Sequence, residues 1–270
     1  MAQPTDTTDG IQRPVGIPVR NRGDRLGTVV VATLVDLIVG GRYAAGTALP
    51  TEADLGDQFG VSRTVVRESV KLLQDKGLVR IRHGIGTVVN PSGSWNMIDD
   101  LVLSALVKHD ESLSILDELV SVRATLEREM ASAAAHVRSS DQLAAIRTAL
   151  RAMERAADDT AEFSAADVVF HDTVMAASGH RLARAIVTSI HDKARTTGRY
   201  HGSTSVAYTE LTLDEHRRIL VAIENNDAAA AADAMYGHIM GSWSRRRPAD
   251  NDTSDTSDTS DADPSDDPAR

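Results

Sequence analysis

The chain has no cysteine. That excludes a disulfide scaffold, a thiolate zinc site, an iron–sulfur cluster and a cysteine nucleophile. Aromatic side chains make up only 3% of the 270 residues, and there are just 8 prolines and 18 glycines. A large β-sandwich or barrel is poorly served by such a composition. No apolar run approaches the ~20 residues that a membrane span needs. The N-terminal stretch, with Asp6, Asp9 and Pro14, lacks the basic-then-apolar layout of a signal peptide. These absences lead us to expect a cytoplasmic protein without a membrane partner.

What is present is alanine, leucine, valine and isoleucine in helical periodicity, in a chain long enough to bury a core without covalent staples. The net charge is −10. A strongly acidic chain is a poor partner for nucleic acid, but the charge is unevenly spread. Residues 248–270 carry −7 and residues 92–244 carry −8, whereas residues 24–91 carry +1. The overall acidity therefore says little about the N-terminal third.

The sequence divides into five stretches. Residues 1–23 hold Pro4, Pro14 and Pro18 without apolar periodicity and are expected to form a flexible arm. Residues 24–90 are expected to form one folded body, 91–97 a linker around Pro91-Ser92-Gly93-Ser94, and 98–247 a second, helical body. Residues 248–270 repeat Asp-Thr-Ser and bury too little to offset their ordering entropy, so disorder is expected there.

In the first body, Val29–Val39 reads as a helix stopped by Gly40-Gly41. Thr51 and Asp54 suit a capped start of a second helix, in which Leu55 and Phe59 face inward and which Gly60 ends. Ser62 caps a third, whose buried stripe comprises Val65, Val66, Ser69, Val70, Leu72 and Leu73. Gly77 ends it. Two β-type runs, Leu78–Arg82 and Thr87–Val89, flank a glycine-containing turn. Three helices followed by a two-stranded wing predict a winged helix-turn-helix. Its third helix would enter the major groove of double-stranded DNA, with Ser62, Arg63, Thr64 and Arg67 at the leading end. Arg63 and Arg67 lie one turn apart, and an arginine fork matches the two acceptors of a guanine edge. Ser62 and Thr64 suit phosphate. Lys71 extends the basic face, and His83 and Gly84 form the tip of the wing.

Leu49-Pro50-Thr51-Glu52, Gly60-Val61-Ser62-Arg63-Thr64-Val65-Val66-Arg67-Glu68, Gly77-Leu78-Val79 and Gly84-Ile85-Gly86-Thr87 resemble the GntR family of bacterial transcription regulators. The resemblance implies that Arg63, Thr64, Arg67, His83 and Gly84 touch DNA. The chain departs from the family pattern at Ala53, where arginine is common.

The second body is expected to be all-helical, with helices near 98–109, 113–137, 140–158, 161–177, 181–199, 208–225 and 227–243. Asp167 and His171 are spaced to share one face, one turn apart. His216 and His238 fall on two later helices. Three imidazoles and a carboxylate form a coordination set suited to Zn²⁺ or Ni²⁺ with positions left over for water or ligand. His109, His136, His180, His191 and His201 read as ordinary helical histidines.

Arg123 near Glu127, the run Asp167–His171, Glu215-His216 and His238 resemble the ligand-binding FCD domain of the FadR-type subfamily. The resemblance implies that the quartet holds a divalent metal and that a small carboxylate completes its shell. Trp95-Asn96-Met97-Ile98-Asp99 is similar to the sugar-acid, galactonate-type members. Arg123 offers a bidentate fork for the effector carboxylate, against the alternative of a simple intrahelical pair with Glu127. Thr212, one turn before His216, offers a hydroxyl, against the alternative of a plain surface residue.

The expectation is a mainly α protein, a winged helix-turn-helix followed by an FCD-type helical bundle. It would be a homodimeric, metal-dependent regulator, a repressor of catabolic genes released by a hydroxy- or sugar acid and not an enzyme. The alternatives are a metal-dependent enzyme acting on organic acids and an acyl-CoA-responsive regulator.

Overall fold

The computed structural model describes residues 22–195 and 206–247. The expected arm (save its last two residues), the end of the helix expected over 181–199, His201 and the tail 248–270 lie outside the described residues.

Helix α1 (Arg22–Val39) begins well before the apolar stripe that marks it in the sequence. Val30, Val31, Leu34, Val35 and Ile38 are buried, and their spacing repeats every turn of one face. Val29, expected to join them, is 59% exposed because it lies off that face. Helix α2 (Glu52–Phe59) opens on a capping box. Thr51 Oγ1 accepts from the Asp54 amide and Asp54 Oδ2 accepts from the Thr51 amide, both at 3.2 Å. Gly60 closes the helix with φ +64°, a left-handed conformation that glycine adopts without steric cost.

Helix α3 (Arg63–Asp75) is capped by Ser62, whose Oγ accepts from the Val65 amide. Val66, Ser69, Val70 and Leu73 are buried, and α3 packs on α1 and α2. Leu72, expected in the stripe, is 48% exposed, since it is rotated about 100° from Leu73 around the axis. Strands β1 (Val79–Arg82) and β2 (Gly86–Val89) pair antiparallel, with Arg82 opposite Gly86 and a three-residue turn, His83-Gly84-Ile85, between them. Ala48 adds a bridge to Val88 on the other edge of β2.

Residues 91–97 are tied down. Ser92–Ser94 form one 3₁₀ turn, Trp95 Nε1 donates to the Asn90 carbonyl at 3.1 Å, and the Asn96 amide donates to the Lys76 carbonyl at 2.9 Å. Gly77 is required here twice over: its φ is +73°, and a Cβ would stand 2.1 Å from the Ser94 carbonyl oxygen. The chain falls into two compact units, Met1–Ala105 and Leu106–Arg270. The division lies inside α4 (Asp100–His109).

The second unit is built from α5 (Ser114–Val137), α6 (Ser140–Arg155), α7 (Thr160–Ala177), α8 (Arg181–Arg195), α9 (Val206–Glu224) and α10 (Ala228–Arg246). Helix α5 is central and packs against α7, α8, α9 and α10. Its buried face carries Ala124, Ala131, Ala134 and Ala135, small enough for neighbouring helices to approach closely. The same face buries Arg123 and Glu127, which therefore need partners inside the bundle. Helix α6 ends at Arg155 rather than 158 because Asp159 caps the next helix, accepting from the amides of Ala161 and Glu162, each at 2.9 Å. No described helix is long and apolar enough to cross a membrane.

Candidate DNA interface and metal centre

In the first unit, Ser62, Arg63, Thr64, Arg67 and Lys71 are all exposed on α3, and Arg63 and Arg67 stand one turn apart. The capped N-terminus of α3 adds peptide dipoles that favour phosphate. Arg67 Nε lies 3.9 Å from Glu52 Oε1, and Lys71 pairs with Glu68 at 2.7 Å. Both pairs are solvent-exposed and hold these side chains only weakly. His83 and Gly84 occupy the wing turn, and Gly84 has φ +77° with open space around it. Arg82, exposed at the end of β1, shares that tip and was missed in the sequence, where it read only as a strand residue.

In the second unit, α7, α9 and α10 bring Asp167, His171, His216 and His238 together, with one ligating atom from each within 4.8 Å of all the others. His216 Nε2 lies 3.1 Å from Asp167 Oδ1, and His171 Nε2 lies 3.8 Å from that oxygen and 3.1 Å from His238 Nε2. The three imidazoles are buried, while the Asp167 side chain is 26% exposed.

The outer ring nitrogens set the chemistry. His171 Nδ1 donates to Glu127 Oε2, His238 Nδ1 donates to Glu215 Oε2 at 2.8 Å, and His216 Nδ1 donates to the Thr212 carbonyl at 2.7 Å. A carboxylate and a carbonyl only accept, so each ring carries its hydrogen on Nδ1 and turns a bare Nε2 inward. Three ring lone pairs and a carboxylate oxygen thus converge with no hydrogen to share. His216 Nε2 is buried with no hydrogen-bond donor facing it among the described residues. A cation is what such a set of acceptors fits.

The electrostatics agree. Burial pushes His238 well below the usual imidazole range, and the neighbouring His216 and His171 add to this. For Glu127, burial works against the charge, and the Arg123 guanidinium and His171 outweigh it.

Beside the quartet lies a cavity of about 470 Å³, bordered by Asp167, Ser164, Arg195, Thr209, Thr212 and Arg246. Asp167, Arg195 and Arg246 also border a smaller void together with Arg123. Thr212 is among the residues at the border of the larger cavity. Arg123 is engaged within the bundle: its Nε donates to Glu127 Oε1 and its Nη1 to His191 Nε2 at 3.1 Å. Burial and Arg123 push His191 down to about 2. Sequence reasoning missed Arg195 and Arg246 as cavity residues and His191 as a partner of Arg123; Glu127 and Glu215 figured in the family motif, but not as partners of His171 and His238.

Two family descriptions match this chain: "Bacterial regulatory proteins, gntR family" over residues 26–89 and "FCD domain" over residues 118–241. The chain is 30% identical to the galactonate operon transcriptional repressor of Escherichia coli strain K12, over 83% of this chain and 96% of that protein. It is 31% identical to the Uxu operon transcriptional regulator of the same strain, over 78% and 82%. Among solved structures, Lar, described as controlling the agr system of Listeria monocytogenes, matches with a TM-score of 0.52 and 18% identity, over 82% of this chain and 96% of Lar, and it shows the fold alone. The two matched stretches coincide with the winged helix-turn-helix and with the helical domain that holds the histidine–aspartate cluster. The chain belongs to the gntR family, in its branch with an FCD domain, and is a DNA-binding transcription regulator rather than an enzyme.

Proposed function

We propose that this regulator represses catabolic genes as a homodimer and is released from its operator by a small hydroxy- or sugar acid bound at a divalent metal. Asp167, His171, His216 and His238 hold the ion. Three imidazoles and one carboxylate suit zinc or nickel and leave positions for an exchangeable ligand. The observation that carries the reading is the convergence of four acceptor atoms at the edge of a cavity lined by Arg195 and Arg246. A carboxylate matches both the ion and a guanidinium, whereas a neutral ligand matches neither. Hydroxyls of Ser164, Thr209 and Thr212 around the same space suit a polyol. Arg123, the effector contact expected from the sequence, borders the smaller void and supports the site from behind. The relatives named for galactonate and Uxu operons point to sugar acids as the class.

On the DNA side, Arg63 and Arg67 read guanine edges, Ser62, Thr64 and Lys71 hold phosphates, and His83 and Gly84 approach the minor groove. A two-fold protein matches a palindromic operator, which makes the homodimer the DNA-binding unit.

Fluorescence anisotropy on the promoter DNA of the protein's own gene tests this. D-Galactonate and hexuronates should weaken DNA binding by the zinc-loaded protein and have no effect after chelation. An acid response that survives chelation, or none of these acids acting in either form, would overturn the reading.

A further inference from the structure

The two glutamate–imidazole contacts, one buried and one partly exposed, share a pattern that the quartet alone does not require. Glu127 is fully buried on α5. One of its oxygens accepts from His171 Nδ1 and the other from Arg123 Nε, and Arg123 then extends to His191 on α8. Glu215 sits on α9. Its Oε2 accepts from His238 Nδ1 and from Arg245 Nη2, each at 2.8 Å. Two of the three imidazoles are therefore each backed by a carboxylate, and each carboxylate is gripped by an arginine. The third, His216, needs no side chain, because the Thr212 carbonyl of its own helix serves.

We propose that Glu127 and Glu215 are positioning residues of the metal centre, each clamped by an arginine, Arg123 or Arg245, and each holding one imidazole with its Nε2 turned toward the ion. The inference rests on reading the quartet as a metal site. An unheld imidazole divides itself between two tautomers and several ring orientations. A carboxylate on Nδ1 selects the tautomer that leaves Nε2 bare, fixes the ring plane and raises the basicity of the inner nitrogen. A buried carboxylate does this only while it stays ionised, and burial alone would favour its protonated form. The arginines supply the compensating charge. Arg123 therefore acts through Glu127 on His171, and its guanidinium is committed to that task rather than offered to the effector.

The same geometry grades the two relays. The Arg123–Glu127 pair is almost entirely enclosed, with side-chain exposures of 6% and 0%, whereas Arg245 and Glu215 are 22% and 13% exposed. Water can partly replace Arg245 but not Arg123, so the first relay should matter more.

The test is zinc affinity, read by competition with a chromophoric chelator, for wild type, Glu127→Gln, Glu215→Gln and Arg123→Lys. Arg184→Lys serves as the control: Arg184 and Asp172 make a bidentate ion pair outside the site. Glutamine keeps the size of glutamate but carries no charge and is not restricted to accepting. Removing such an outer partner typically weakens metal binding 10–100-fold. We expect that range for Glu127→Gln, a smaller drop for Glu215→Gln, a measurable drop for Arg123→Lys and none for Arg184→Lys. If Glu127→Gln fails to fold by circular dichroism, Glu215→Gln decides the matter alone. Folded glutamine variants with wild-type zinc affinity would overturn the proposal. So would Arg123→Lys with unchanged zinc affinity and lost sugar-acid affinity, which would make Arg123 a direct effector contact. A wild-type protein that takes up no zinc would overturn the metal site itself, and the relays with it.

Discussion

The Nε2 atoms of His171 and His238 lie 3.1 Å apart while the Nδ1 atom of each ring is turned to a glutamate, Glu127 for the first and Glu215 for the second. Two lone pairs that close together repel in the absence of a cation, so an ion bound there as proposed should stabilise the fold. Chelation should lower the melting temperature, and zinc should restore it. At a free-metal concentration 100 times the Kd the gain is about 2.7 kcal/mol. Asp167→Ala and His216→Ala should abolish the zinc response while leaving a folded, DNA-competent protein. Thermal melts with and without chelator check this, and a response preserved in both variants would remove the site from the account.

Acid should weaken the metal-free fold, and the sign follows from His191. Its pKa is pushed from 6.5 down to about 2, by burial first and then by Arg123. Between those values the unfolded chain binds a proton that the folded chain does not, so stability is full above pH 6.5 and falls as pH falls. His238 is lowered in the same direction, chiefly by burial, and adds to the loss. Each such histidine contributes at most about 1.4 kcal/mol per pH unit. Urea unfolding of the chelated protein at pH 7.5 and 5.5 measures it. His191→Gln should flatten the slope, and an unchanged slope would place the acid sensitivity elsewhere.

Arg67→Ala should weaken operator binding by about 1–3 kcal/mol and relax base preference at one position of each half-site. The exposed guanidinium on the leading turn of α3, loosely held 3.9 Å from Glu52, motivates this. Equal losses on operator and random duplex would show that Arg67 touches only phosphate.

Arg195→Ala and Arg246→Ala should reduce sugar-acid affinity and leave zinc stoichiometry unchanged, because both arginines border the cavity but supply no atom to the quartet. Isothermal titration of the acid into zinc-loaded variants reads the first effect and elemental analysis the second. Wild-type acid affinity in both variants would mean that the acid binds elsewhere.

Local rules made much of the first unit legible. Thr51, Asp54, Gly60 and Ser62 cap helices by contacts three or four residues apart, and those contacts are written in the sequence. Helix ends without such signals were harder to read: α1 runs back to Arg22 through residues with no apolar stripe, and α6 stops where Asp159 begins the next cap. In the second unit, only Asp167 and His171 are linked by spacing. His216 and His238 join that pair by residue type, and the family resemblance supports the grouping, since nothing local brings α9 and α10 to α7. Arg195 and Arg246 carry no signal in the sequence because the face they present depends on how five helices pack, and Glu215 is legible only as the neighbour of His216 in the family motif. His191 was set aside for the same reason, and only the fold puts it against Arg123.

The most direct measurement is a calorimetric titration of zinc into the chelated wild-type protein and into Asp167→Ala. We predict one high-affinity ion per chain for wild type and loss of that phase in the variant. A wild-type chain that takes up no zinc or nickel, or a variant that binds as wild type does, would contradict the account.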